Sequence, residues 1–142
     1  MAGYSTTPLA KKLGIKPGHR VALLNAPSNF ERTLDALPEN VAIAHALPRS
    51  SSTPADVIIC FVTASKDLEK RLPAAAAKLA QNGGLWIAWP KKASKVPTDM
   101  TEQVIRDVAL PTGLVDNKVC AIDDTWSGLR LVIRKELRTK QK

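Results

Sequence analysis

The stretch Lys91-Lys92-Ala93-Ser94-Lys95-Val96-Pro97-Thr98-Asp99 holds the residues whose types and spacing most suit a chemistry, and that chemistry is anion binding. Lysine holds a phosphate as a point charge, and Ser94 and Thr98 can donate hydrogen bonds to it. The stretch leads into a helix whose first N–H groups also attract negative charge. A plainer reading competes: Asp99 satisfies that helix end and the lysines are simply solvated. Trp89 lies just ahead of the stretch and Trp126 in a polar loop, where flat rings can stack on a planar ligand. Asp124 beside Trp126 would balance part of the charge, and Asn25 ends an earlier apolar run. The expected ligand-binding set is therefore Asn25, Trp89, Lys91, Lys92, Lys95, Asp124 and Trp126, and the expected ligand a small anion such as a phosphate.

Catalytic sets are thin. His19 precedes one apolar run and His45 lies inside another, with no Ser or Cys motif near either. None of the common signatures for a nucleophile elbow, a zinc protease, a dinucleotide turn or a phosphate loop occurs. Cys60 and Cys120 sit in apolar runs without ligand spacing, so they read as small hydrophobes and no metal site is expected. Asp123-Asp124 could hold a metal or act as a base, but paired acids in a hairpin are more simply solvated. No catalytic residue and no cofactor is expected.

The elements that must position the lysines follow from the apolar pattern. The 142 residues suffice for one domain, and the apolar material is mostly Ala, Val, Ile and Leu. A short helix around Pro8–Leu13, capped by Thr7, exits at Gly14. Val21–Ala26 reads as a buried strand, and Ser28 with Glu31 as a capping box opening a helix to Leu37. Val41–Leu47 is a second strand, 48–54 a loop, and Val57–Val62 a strand covered on both faces. A helix capped by Ser65 runs to Gln81 with Pro73 bending it, and Asn82-Gly83-Gly84 ends it. Leu85–Trp89 is a strand and Met100–Leu110 a helix capped by Asp99. Asp116–Ile122 and Leu129–Arg134 form a closing hairpin around 123–128. The order predicts an α/β fold: a single three-layer Rossmann-like domain over 1–134, its sheet mostly parallel with an antiparallel C-terminal hairpin, and a basic tail over 135–142. In such sheets ligands bind beyond the carboxyl ends of the strands.

The net charge of +8 collects at Lys11–Arg20, at Lys91–Lys95 and in the tail. Its plainest consequence is solubility, with a nucleic-acid-associated basic protein as an alternative that charge alone does not establish. The N-terminus lacks the apolar stretch of a signal peptide and no run is long enough to span a membrane, which predicts a cytoplasmic location without membrane partners. Nothing in the pattern indicates an oligomeric state.

The segments LGIKPGHRVALL, LPAAAAKLAQNGGLWIAWPK and GLRLVIRK resemble, in order, the lead into the first strand, a helix with its Gly-Gly turn and fifth strand, and the closing strand of class I S-adenosylmethionine-dependent methyltransferases. That resemblance implies their fold, and as a runner-up function an enzyme with a degenerate cofactor site. In that family the first strand ends in an acid and a Gly-x-Gly turn, and an acid after the second strand binds ribose. Here the corresponding stretches are Leu24-Asn25-Ala26-Pro27-Ser28 and Ala46-Leu47-Pro48-Arg49, and one β-α unit is missing before Asp56. The chain also resembles small bacterial proteins grouped as a domain of unknown function, through AKKLGIKPG, through Trp86 to Pro90-Lys91, and through Trp126-Ser127-Gly128-Leu129-Arg130-Leu131-Val132. The resulting expectation is a non-catalytic binding or regulatory module.

Overall fold

The structure, a computed structural model, describes residues 8–34, 36–50 and 52–137. Six strands make one sheet: β1 (Arg20–Leu24), β2 (Ala42–Ala44), β3 (Ala55–Phe61), β4 (Leu79–Pro90), β5 (Leu114–Ala121) and β6 (Trp126–Ile133), in the order β2-β1-β3-β4-β6-β5. The pairs β2–β1, β1–β3 and β3–β4 are parallel, whereas β6 runs antiparallel to both β4 and β5. The expected Rossmann-like class therefore holds, antiparallel hairpin included. Because β6 reverses between them, β5 and β4 point the same way and their loops open at one end of the sheet.

Period-two alternation sorts the core into two clusters. On one face Ala22, Ile58, Cys60, Leu85, Ile87 and Trp89 pack under α3 (Ser65–Ala77) and α4 (Glu102–Ala109). On the other, Val21, Leu23, Val57, Ile59, Phe61, Trp86 and Ala88 pack under α1 (Leu9–Lys12) and α2 (Phe30–Leu34). Strands apolar on both faces must be covered on both, and that requirement produces the three layers.

Local signals misled in several places. The helix ends at Ala77, not Gln81, and Asn82-Gly83-Gly84 lies inside β4. The register moves from Ala55↔Leu79 to Val57↔Gly84, so β4 bulges there against β3. Glycine suits this bulge because backbone approaches closely: a Cβ on Gly83 would lie 2.6 Å from the Asp56 carbonyl oxygen. Pro73 sits within one continuous helix. β2 covers only Ala42–Ala44 of the expected Val41–Leu47. The Ser28–Glu31 capping box does not form; Glu31 instead holds exposed His45, with Oε2 2.8 Å from Nε2. Thr7 and residues 138–142 of the expected basic tail lie outside the described residues, while Lys135–Leu137 makes a single 3-10 turn.

Gly83→Ala should destabilise the protein by about 1–3 kcal/mol, because carbonyl backbone cannot yield. Gly84→Ala should do less, since the atoms nearest its Cβ belong to the Arg130 side chain, which can shift where backbone cannot. Chemical denaturation of both variants checks the order. A second expectation concerns Cys60, whose thiol is pushed up by burial from 9.0 to about 11, with Arg71 opposing and Asp67 adding to the rise. A raised folded value favours the folded state below pH 9, and that contribution fades as pH climbs to about 11. The alkaline fall in stability should therefore be shallower in Cys60→Ala than in the wild type, by up to about 3 kcal/mol across that window.

Candidate functional site

The loop after β4 keeps its shape through its own hydrogen bonds. The Lys91 N–H donates to the Thr125 carbonyl at 2.7 Å, which joins this loop to the β5–β6 turn. Ser94 Oγ donates to the Lys91 carbonyl at 2.6 Å and accepts from the Val96 N–H at 3.2 Å. Lys95 adopts a left-handed conformation, φ 63°, closing a 3-10 turn over Lys92–Ser94. Thr98 Oγ1 donates to the Thr63 carbonyl at 2.5 Å and accepts from the Met100 N–H at 3.0 Å. The two hydroxyls expected to meet an anion are thus committed to the backbone.

Asp99 also departs from expectation. It caps α3 rather than α4: its Oδ1 accepts the Ser65 N–H at 2.7 Å and its Oδ2 the Ser65 hydroxyl at 2.6 Å. These bonds to the Ser65 hydroxyl, then to its N–H, hold the Asp99 carboxyl below its ordinary value. Thr101 caps α4, accepting the Val104 N–H at 3.1 Å. Ser65 is therefore the first residue of its helix and not its cap.

Lys92 is exposed and lines a cavity of about 370 Å3 together with Trp89, Thr98, Asp99, Thr101 and Glu102. Lys91, Lys92 and Lys95 form no ion pair among the described residues. The nearby acids are already engaged, Asp99 with Ser65 and Glu102 with Arg106, which also reaches Asp116. Trp89 is 8% exposed and belongs to the α3/α4 face.

Trp126 does not flank the same cavity. It begins β6 rather than tipping a loop, pairs with Pro90, and packs edge-on against Phe61 at 5.0 Å on the α1/α2 face. Core packing accounts for this ring, and the sheet separates it from Trp89. Asp123 shapes the turn, its Oδ1 accepting from the N–H groups of Thr125 and Trp126, both at 2.8 Å; Asp124 stands exposed beside it. Asn25 ends β1 in the left-handed region, φ 57°, where asparagine replaces the usual glycine. With its amide oxygen facing α3 it accepts from Arg71 Nη2 at 3.0 Å and Nε at 3.3 Å. The lysine loop and the hairpin turn thus share an edge, but Asn25 and Trp126 are occupied in other contacts.

A larger polar cleft, unanticipated from the sequence, opens at the opposite end of the sheet. It measures about 490 Å3 and is lined by Lys12, Gly14, Lys16, His19, Asp56, Lys118 and Arg130 among others. Its signal was present in the cations of KKLGIKPGHR and in an arginine interrupting the apolar β6, but these lie more than a hundred positions apart. A third depression, about 400 Å3 and mostly apolar, follows β2 and the 46–55 connection, where the expected fold would place a further β-α unit.

The profile of a family described as "Protein of unknown function (DUF3052)" matches residues 10–135. Among curated proteins none matches the sequence. Solved structures with the same fold include a SAM dependent methyltransferase from Aquifex aeolicus (TM-score 0.59, 12% identity, covering 88% of each chain). Fibrillarin from Aeropyrum pernix with bound S-adenosyl-L-methionine superposes at TM-score 0.57 and 14% identity, covering 87% of this chain and 73% of that one. Magnesium protoporphyrin IX methyltransferase from Synechocystis follows at 0.56 and 12%, covering 88% and 78%. At such identities the likeness is one of fold.

Asp99→Ala should lower the melting temperature measured at pH 7, because α3 loses its N-terminal partner. A lowered folded value places that contribution above the ordinary carboxyl value of 3.8 and removes it as pH falls below. The gap between wild type and Asp99→Ala should therefore narrow in melts below about pH 3.8.

Proposed function

Because the chain belongs to the family described as a protein of unknown function, DUF3052, we propose from its own geometry that it is a cytoplasmic, non-catalytic binding module on a methyltransferase-like frame, taking a small phosphate-bearing ligand. The observation that carries the reading is the end of β1. The frame implies S-adenosylmethionine, and the residues present do not fit it. Asn25 makes the turn with its amide held by Arg71, and Ala26-Pro27 follows in place of glycines that would let backbone close on a cofactor. After β2, Ala46-Leu47-Pro48-Arg49 offers a guanidinium and no carboxylate to ribose hydroxyls. No catalytic acid, base or nucleophile motif supplies a reaction in its place, and no cluster of metal-ligating side chains occurs among the described residues. No helix among them is long and apolar enough to cross a membrane.

The proposed ligand site is narrower than the sequence suggested. It comprises Trp89, Lys91, Lys92 and Lys95 on a braced loop, with Lys92 lining the cavity beside Asp99 and Glu102, acids that are already engaged. Lysine charge without local neutralisation attracts phosphate, and the loop loses little freedom on binding.

Calorimetry of the full chain tests both halves. S-adenosylmethionine should give no binding heat; one-to-one binding with micromolar affinity would return the enzyme reading. Inorganic phosphate should bind weakly at low salt, and Lys92→Ala with Lys95→Ala should reduce that affinity about tenfold with the melting temperature nearly unchanged. Unchanged phosphate binding in the double variant would make the lysines solvated surface.

A further inference from the structure

From the cleft at the amino ends of the strands we infer a second, independent anion site, built by Lys12, Lys16, His19, Lys118 and Arg130 for a compact molecule carrying a di- or polyphosphate. Among the described residues four cationic side chains line the cleft against one carboxylate, Asp56. That carboxylate is partly committed, its Oδ2 accepting the Arg20 N–H at 2.8 Å. Lys12, Lys16 and Lys118 enter no ion pair among the described residues. Half-buried Cys120 senses the same convergence: burial raises its thiol, while the charges of Lys12 and Lys118 oppose the rise.

Several of these groups are held in place before any ligand arrives. Lys118 Nζ donates to the Lys12 carbonyl at 3.1 Å, at the carboxyl end of α1, which favours a cation there. The Arg130 guanidinium occupies the space that a Cβ at Gly84 would fill, so a glycine in β4 makes its seat. His19 Nδ1 accepts the Lys16 N–H at 3.1 Å, so neutral His19 carries its proton on Nε2 as a further donor. Gly14 and Gly18, at φ 81° and 78°, turn the backbone that presents Lys16. Preorganised charge of this kind binds with less ordering cost.

The lining also limits the ligand. A planar guanidinium fork beside lysine point charges matches phosphate oxygens. Among the described residues no aromatic ring other than the His19 imidazole lines the cleft, and they offer no indole or phenyl platform on which nucleic-acid bases commonly stack. A volume of about 490 Å3 accommodates a small molecule.

The test is calorimetry with pyrophosphate on full-length Lys92→Ala/Lys95→Ala protein, so that the carboxyl-edge loop contributes nothing and failure of that site leaves this one measurable. One-to-one binding is expected at about 50 mM salt. Lys12→Gln with Lys118→Gln should weaken it at least about tenfold, and Lys16→Gln alone about threefold. The Lys16 side chain makes no hydrogen bond or ion pair among the described residues, so its variant still decides the matter if the double variant fails to fold. No pyrophosphate binding, or binding unchanged by Lys16→Gln, overturns the proposal. A DNA duplex that binds more tightly than pyrophosphate and loses affinity with the same substitutions would also overturn it, making the cleft part of a nucleic-acid surface.

Discussion

One buried hydrogen bond joins the two ends of this chain's architecture. Trp86, fully buried in the middle of β4, donates its indole N–H to the Leu13 carbonyl at 2.9 Å across seventy-three positions. The acceptor is the C-cap of the short helix α1, which is too brief to be stable without tertiary support. Leaving that carbonyl buried without its donor would cost about 1–3 kcal/mol. The bond sets where α1 stops on the sheet, and so where Gly14, Ile15 and Lys16 leave it. In register, Trp86 also faces Arg130 on β6. The tryptophan thereby anchors one wall of the cationic cleft and neighbours another.

The rest of the frame follows from the need to cover β3 and β4 on both faces. α3 and α4 cover one, α1 and α2 the other, and Asp99 ties the loop after β4 back to the start of α3. The fold is similar to that of solved methyltransferases, and at 12–14% identity the likeness ends there. Residues 25–29 hold no glycine, and there Asn25 and Arg71 make a hydrogen-bonded closure. Positive charge gathers instead on the lysine loop at one end of the sheet and around Lys12, Lys118 and Arg130 at the other.

Legibility in the sequence tracked locality. Val57–Val62 and Leu85–Trp89 were readable because a doubly covered strand is a continuous apolar run. The hairpin, and the shared edge of its turn with the lysine loop, followed from strand order. Asn82-Gly83-Gly84 misled because a strand bulge and a helix stop use the same residues, and only the approach of the Asp56 carbonyl distinguishes them. Asp99 misled because capping is read from adjacent residues, while it caps a helix thirty-four positions earlier. Trp126 looked exposed because its neighbours are polar, yet Phe61 receives its ring from a strand two positions away in the sheet. The cleft is illegible in the sequence for a related reason: residues from α1, β5 and β6 meet only after folding.

Native-state hydrogen exchange on Trp86→Phe, which keeps an aromatic ring and deletes the donor, tests the dependence on this bond most directly. The amides of Leu13 and Ile15, bonded to the Leu9 and Ala10 carbonyls, should exchange at least about tenfold faster relative to β3 amides than in the wild type. If their protection falls only in step with that of β3, or not at all, α1 is held by apolar packing alone and the Trp86–Leu13 bond is not what positions it.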